Sequence, residues 1–383
     1  MLVIDYDSIE CDMNFVSSKG WDITIASLWQ LLESQTENDL KELDSGGISV
    51  SIPLIIEKFS SLIEILSIHS DGVEFTEKGE TIFRRVRELL SKPDTYRKKE
   101  SEDELNKKLI AADWNMKSRS LSEFQMTNLI ETSRRDEAAI FSVPGAGKTV
   151  EAIAYSIIVG GPAVIFLVIA PRNAFISWEQ ELEATLSIQK NQILRASGND
   201  DEIRGKLITP AIPFRAVLVN YNRLWYRYRA FSDYIEKMTE LGRTIVTIMD
   251  ESHHFKGGKA FTSAVKRVTP FANHRIILSG TPMPKGAEDL VHQFKTLIPN
   301  KSSEIDETNV QEFTQNRFVR TTKDDLKLNK VVIKFHKFKM DKIQREMYEI
   351  LTDIYSAESA SKGNRKATAE LSRLQRIIIY LVM

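Results

Sequence analysis

The chain has 383 residues, 42% hydrophobic and 27% charged with 17 Gly and 11 Pro, a composition that excludes whole-length disorder and leaves room for two or three domains. The net charge of −1 hides an asymmetry: residues 1–80 hold sixteen Asp/Glu against four Lys/Arg, net −12, which leaves +11 for residues 81–383 and makes that part the one suited to a polyanion. The single cysteine, Cys11, allows no internal disulfide and fits a reducing cytoplasm, and no apolar run reaches the ~20 residues of a membrane helix, so no membrane role is expected.

Residues 1–92 read as a small, mainly helical domain. Helices are expected over residues 23–34 and over 53–69, where Leu54, Ile55, Phe59, Leu62, Ile63 and Leu66 fall at helical spacing, and a third opens at Thr76. The stretch SDGVEFTEKGETIFRRVRELL resembles the wing and last helix of bacterial winged-helix domains. Because the segment is so acidic, a protein-contact or covering role is expected of it rather than DNA binding. Residues 93–120 are nearly all polar at their start and read as a charged linker or solvated helix.

From Ala138 onward the runs AAIFSV, AVIFLVIA, AVLVN, TIVTIMD and RIILSG alternate with stretches long enough for crossover helices. Near-continuous apolar strands of this kind predict a parallel sheet covered on both faces, with its ligand at the carboxyl ends of the strands. The first run ends in SVPGAGKT, residues 142–149, a phosphate-binding loop. Gly145 and Gly147 permit a turn that points backbone N–H groups inward, and the helix that follows adds its positive end. Pro144, Gly145, Ala146, Gly147, Lys148, Thr149 and Val150 would surround the nucleotide, Lys148 on the β- and γ-phosphates and Thr149 on Mg²⁺. Ser142 stands where the general pattern has its first glycine.

TIVTIMDESHH places Asp250 and Glu251 at the tip of another strand, Asp250 to hold Mg²⁺ and Glu251 to orient and deprotonate water. His253 could link this site to its neighbours, among them the hydroxyls of Ser279 and Thr281 at the end of RIILSGT. In NYNRLWYRYRAF, Arg223, Arg227 and Arg229 interleave with Trp225 and tyrosines. Two readings stand equally for that stretch: a nucleic-acid surface with stacking aromatics, or an amphipathic helix that packs its aromatics while the arginines reach to solvent.

Taken in order, these motifs resemble the superfamily 2 helicase-like ATPases, and within them the Swi/Snf-related DNA translocases. LSEFQMTNL is similar to the glutamine motif, with Gln125 set to read adenine; LVIAPRNAFISWEQEL matches at Pro171, Arg172 and Trp178; and FVRTTKDDLKL, residues 318–328, looks like the crossing to a second lobe. The resemblance implies a RecA-like α/β lobe over 121–322 that binds ATP and Mg²⁺ and works on double-stranded DNA, with Arg172 also contacting nucleic acid. It further implies that residues 323–383 begin a second RecA-like lobe, to be completed by the missing remainder or another chain, since no Gln-Xaa-Xaa-Gly-Arg string occurs and the sequence ends in the apolar IIIYLVM. The alternative is a nucleotide-binding regulatory or scaffolding subunit without turnover. The DESHH and SGTP strings disfavour a kinase or GTPase.

Overall fold

A computed structural model describes residues 1–7, 10, 12–33, 39–68, 72–94, 96–208, 214–255, 260–326 and 341–362; Cys11, most of 323–383 and the terminal IIIYLVM lie outside them. The chain divides into two units, Met1–Lys327 and Leu328–Met383.

The acidic N-terminal part is built on a sheet. β1 (Leu2–Asp7) and β2 (Asp12–Ser17) pair antiparallel, α1 (Ile23–Leu32) follows, then β3 (Leu40–Glu42), β4 (Ile48–Ser51), α2 (Ile52–Ile68), β5 (Val73–Phe75) and α3 (Glu77–Ser91). Strand order is β3-β4-β2-β1-β5, with only β1 and β5 parallel. The three helices stand close to their expected positions. Asp22 caps α1 by accepting from Thr24 N at 2.9 Å, and the Thr76 hydroxyl caps α3 by accepting from Gly79 N at 3.1 Å. The expectation of a mainly helical, winged-helix-like domain is corrected by the five strands. In β1 the buried Leu2, Ile4 and Tyr6 alternate with Val3, Asp5 and Asp7; Val3 breaks the apolar-polar alternation, and the low strand propensity of Asp masks the rest of so short a run.

Within residues 93–120 the helical alternative holds over residues 102–111, whose charged side chains are exposed. Ser101 and Glu104 make a reciprocal capping box for α4 (Glu102–Ala111), whose Leu105 and Leu109 are wholly buried against the sheet's helical layer. Upstream, Asp94 pairs with both Arg135 and Arg317, Arg97 with Asp136, and the Tyr96 ring lies 3.6 Å from the Arg135 guanidinium carbon. Asp94 and Arg97 are thus spent on partners in the lobe, while Glu102, Asp103 and Lys107 are exposed.

The lobe runs α5 (Glu123–Thr132), β6 (Glu137–Ile140), α6 (Lys148–Gly160), β7 (Ile165–Ile169), α7 (Phe175–Leu186), β8 (Ile193–Arg195), α8 (Asp200–Ile208), β9 (Ala216–Val219), α9 (Tyr221–Glu240), β10 (Ile245–Met249), α10 (Ala260–Val268), β11 (His274–Leu278), α11 (Ala287–Leu297), α12 (Val310–Thr314) and β12 (Phe318–Val319). Its seven strands are ordered β12-β6-β11-β10-β7-β9-β8, and every pair is parallel. Successive residues serve opposite faces: Ile165, Leu167 and Ile169 join one core, Phe166 and Val168 the other. This is the RecA-like arrangement, with helices on both faces. The buried Arg275 of β11 is satisfied by Leu297 O, Pro270 O, Ala272 O and the Glu137 carboxylate. In the second unit, α13 (Lys342–Lys362) is described.

Within the first unit the N-terminal sheet meets α9 and α10 through charge. Arg267 and Asp12 pair with both side chains almost fully buried, Arg229 reaches Glu10 Oε2 at 2.6 Å, and Tyr228 donates its hydroxyl to Glu10 O at 3.0 Å.

Candidate nucleotide and nucleic-acid site

The loop after β6 turns on two left-handed glycines, Gly145 at φ 85° and Gly147 at φ 83°. A Cβ on Gly147 would stand 2.3 Å from Gln125 Nε2, so the close approach of α5 also requires glycine there. Gln125 has both ends of its amide engaged by protein: Oε1 accepts from Ser122 N at 3.0 Å, and Nε2 donates to Ala146 O at 3.2 Å. The structure thus places Gln125 as a brace for the loop. Lys148 Nζ lies over the loop, donating to Ser142 O at 2.9 Å and Val143 O at 3.3 Å. Ser142 is fully buried, and its hydroxyl accepts from Thr321 N at 3.0 Å. Ala146 is buried, Pro144 and Gly145 are exposed, and Val150 packs on the core. α6 opens at Lys148, so its first-turn N–H groups, Thr149 among them, face the loop's concave side.

Two strands across, Asp250 and Glu251 follow β10. Asp250 Oδ2 accepts from Trp178 Nε1 at 3.0 Å and Oδ1 from Glu251 N at 2.9 Å, while the Tyr221 hydroxyl donates to the Asp250 carbonyl. Burial pushes the Asp250 carboxyl above its ordinary range, against the lowering effect of Trp178 and, more weakly, Lys148. No ion pair to it occurs among the described residues. A buried carboxylate held by two N–H donors and ion-paired with no cation among the described residues fits a divalent metal.

Glu251 sits in the left-handed region at φ 52°, a conformation that costs a non-glycine residue on the order of 1–3 kcal/mol. Its Oε2 is 3.1 Å from His253 Nδ1, the same nitrogen is 3.1 Å from Ser279 Oγ, and Ser279 Oγ accepts from Thr281 N at 3.1 Å. The structure therefore joins Glu251, His253, Ser279 and Thr281 into one chain of contacts. The loop after β11 also closes on the phosphate loop: a Cβ on Gly280 would lie 3.2 Å from Pro144 Cδ and 3.8 Å from Lys148 Nζ.

The five nucleic-acid candidates separate. Arg172 and Arg223 line one open cavity of about 590 Å³ with Pro171, Asn220, Tyr226 and His254, at the carboxyl ends of β7, β9 and β10. Tyr226 is 70% exposed at its rim. Trp225 instead packs against the core, Arg227 marks a break in α9 at φ −134° and ψ 20°, and Arg229 is taken up by Glu10. The packing reading thus describes Trp225 and the ion-paired Arg229, while Arg223 and Tyr226 line the cavity.

Three supporting residues, Trp178, Tyr221 and Gln293, carry no motif that marks this role in the sequence. Gln293 is fully buried, accepts from the Ser252 hydroxyl at 2.7 Å and donates to Pro282 O at 2.7 Å, joining the acidic loop to the loop after β11. A glutamine on the apolar face of α11 was the one available signal.

A lysine-bearing phosphate loop after one parallel strand and an acidic pair after another define an ATPase lobe of the helicase-like kind. The model of the SNF2-related domain matches residues 24–381, and the chain belongs to that family, whose members are ATP hydrolases of helicase type. Solved structures similar to it include the Pyrococcus furiosus Hef helicase domain, at 11% identity over 70% of this chain and 55% of that one with a TM-score of 0.41. The Sulfolobus solfataricus SWI2/SNF2 ATPase core domain is 16% identical over 75% and 61%, with a TM-score of 0.40. The UvsW helicase of bacteriophage T4 is 11% identical over 84% and 99%, with a TM-score of 0.33. The chain thus spans little more than half the length of the first two. No curated protein matches it. No helix among the described residues is long and apolar enough to cross a membrane.

Proposed function

We propose that the chain is the ATP-binding and ATP-hydrolysing lobe of a DNA-dependent ATPase that moves on double-stranded DNA in the cytoplasm, with a second RecA-like lobe closing over the nucleotide. The observation that carries this reading is the chain of contacts from Glu251 through His253 to Ser279, beside a loop whose Lys148 stands free of any carboxylate among the described residues.

In this reading Lys148 and the first-turn N–H groups of α6 bind the β- and γ-phosphates, and Gln125 braces the loop at the adenine side. Thr149 and Asp250 hold Mg²⁺, which when bound neutralises charge developing on the phosphates. Glu251 accepts the proton of the attacking water, and its strained backbone, fixed by the turn after β10, aims the carboxylate. His253 passes the state of Glu251 to Ser279 and Thr281. Arg172 and Arg223 meet the DNA backbone at the cavity, and residues 1–92 contact a protein partner and cover α9 and α10.

The test is hydrolysis by the full chain with and without duplex DNA, in the presence of the added second lobe. Duplex-stimulated turnover that Glu251→Gln abolishes supports the reading; turnover indifferent to both DNA and that substitution would refute it.

A further inference from the structure

Thr321 follows the short edge strand β12, and each of its polar atoms is held, two by the base of the phosphate loop and one by α5. Its N–H donates to Ser142 Oγ at 3.0 Å, its carbonyl accepts from Val143 N at 3.0 Å, and its hydroxyl oxygen accepts from Asn128 Nδ2 at 3.0 Å. Thr321 is only 2% exposed. Asn128 lies one turn beyond Gln125 on α5, and the same Nδ2 donates its other hydrogen to Glu151 Oε2 at 3.1 Å, in the first turn of α6. Glu151 is itself 2% exposed, and its Oε1 has no hydrogen-bond partner. A buried acid one donor short depends on the single amide that also holds Thr321.

Strand pairing alone does not call for these side chains. β12 is already joined to the β6 segment by backbone bonds from Ala139 N to Arg317 O at 2.8 Å and from Phe141 N to Val319 O at 2.9 Å. The hydroxyl of Ser142 occupies the position where the general loop pattern has glycine, and it is spent on Thr321. Past Thr321 the chain runs on to Lys327, where the first unit ends. The arrangement therefore ties the base of the phosphate loop, the first turn of α6 and the brace helix α5 to the last residues before the second unit.

We propose that Thr321 and Asn128 are a positioning pair that couples nucleotide occupancy of the phosphate loop to residues 319–322, the exit of the chain toward its second unit. The proposal rests on the ATP reading above. A change in the loop or in the first turn of α6 shifts Glu151 and Ser142, and both shifts arrive at Thr321, one through Asn128 and one directly.

Amide hydrogen exchange of the full chain, with and without Mg·AMP-PNP, reads this coupling. In the wild type the nucleotide should slow residues 141–143 and 319–322 together. In Thr321→Val and in Asn128→Ala, which cut the route through Asn128 and leave the direct backbone bonds to Ser142 and Val143, the slowing at 319–322 should shrink while that at 141–143 stays, with the dissociation constant for Mg·AMP-PNP within about threefold of wild type and, with the second lobe added, duplex-stimulated kcat down about tenfold at unchanged KM, a loss of the size expected for one buried hydrogen bond. Thr321→Ser should behave as wild type. Joint protection undiminished in both variants, a Thr321→Ser protein as defective as Thr321→Val, or nucleotide binding by the wild type without a response at 319–322 would each overturn the coupling alone. A wild type that binds no nucleotide overturns the ATP reading instead, and the coupling with it.

Discussion

The indole of Trp178 donates its N–H to Asp250 Oδ2 at 3.0 Å, from a helix that starts after β7 to a carboxylate that follows β10. A hydrogen bond to a charged acceptor contributes about 1.5–3 kcal/mol, and here it also fixes which way the carboxylate faces. Trp178→Phe keeps most of the buried ring while removing the donor. The Mg²⁺ concentration needed for half-maximal nucleotide binding should rise about 10–100-fold; an unchanged Mg²⁺ requirement would reduce Trp178 to a packing residue.

Lys148→Ala should weaken Mg·ATP binding strongly, because no other ammonium stands over the loop among the described residues. Glu251→Gln should bind as wild type and not turn over. Calorimetry separates these, and equal ATP affinity for wild type and Lys148→Ala would remove the basis for the phosphate-loop assignment.

Glu151 carries a pH signature. Burial pushes its carboxyl up to about 8 from an ordinary 4.5, against the weaker pulls of Asn128 and Lys148. Below the unfolded value both states hold the proton and the group contributes no pH dependence. Between about 4.5 and 8 the folded state keeps a proton that the unfolded state releases, so stability falls as pH rises through that window. Glu151→Gln should leave the melting temperature near pH 4.5 little changed and raise stability at pH 8 by about 1–4 kcal/mol. A constant difference between the two proteins across the range would contradict this.

The pairing of Arg267 with Asp12 is deep, with side chains 4% and 2% exposed. Removing one partner of a buried ion pair costs about 3–5 kcal/mol because it strands the other charge. Asp12→Ala should therefore lower the denaturation midpoint of the whole first unit in a single transition. Two separated transitions would mean that residues 1–92 fold apart from the lobe.

On DNA the arginines should divide as the structure divides them. Arg172→Ala and Arg223→Ala should each weaken duplex binding and flatten its salt dependence by about one unit of slope. Arg229→Ala should do neither, since Glu10 already holds that guanidinium. Filter binding over a salt series distinguishes the three.

What the sequence made legible follows from period and spacing. β7, β9, β10 and β11 are apolar runs bounded by turns, and the loops that carry Lys148, Asp250 and Ser279 begin where those runs stop. β1 was hidden by its aspartates, and β8 and β12, with three and two residues, are too short to carry a pattern. α4 stays open between linker and helix in the sequence, since Leu105 and Leu109 are its only wholly buried anchors in a run of charge. Within the site, chemistry-bearing residues at strand ends could be read directly. Their supports could not, because Trp178, Gln293 and Thr321 matter only through what lies beside them after folding.

The strand order has a consequence for how the molecule is made. β6, which carries the phosphate loop, has β11 on one side and β12 on the other, with Ala139 opposite Ile277 and Phe318. Both neighbours are synthesised more than a hundred residues after it, so contacts of high sequence separation must close before the strand is enclosed. During synthesis the nearly complete unit would expose an apolar strand edge until its last strand emerges. Nucleotide binding is therefore a late event in this chain's folding, and a ligand that binds only the finished loop would draw the whole unit toward its native state.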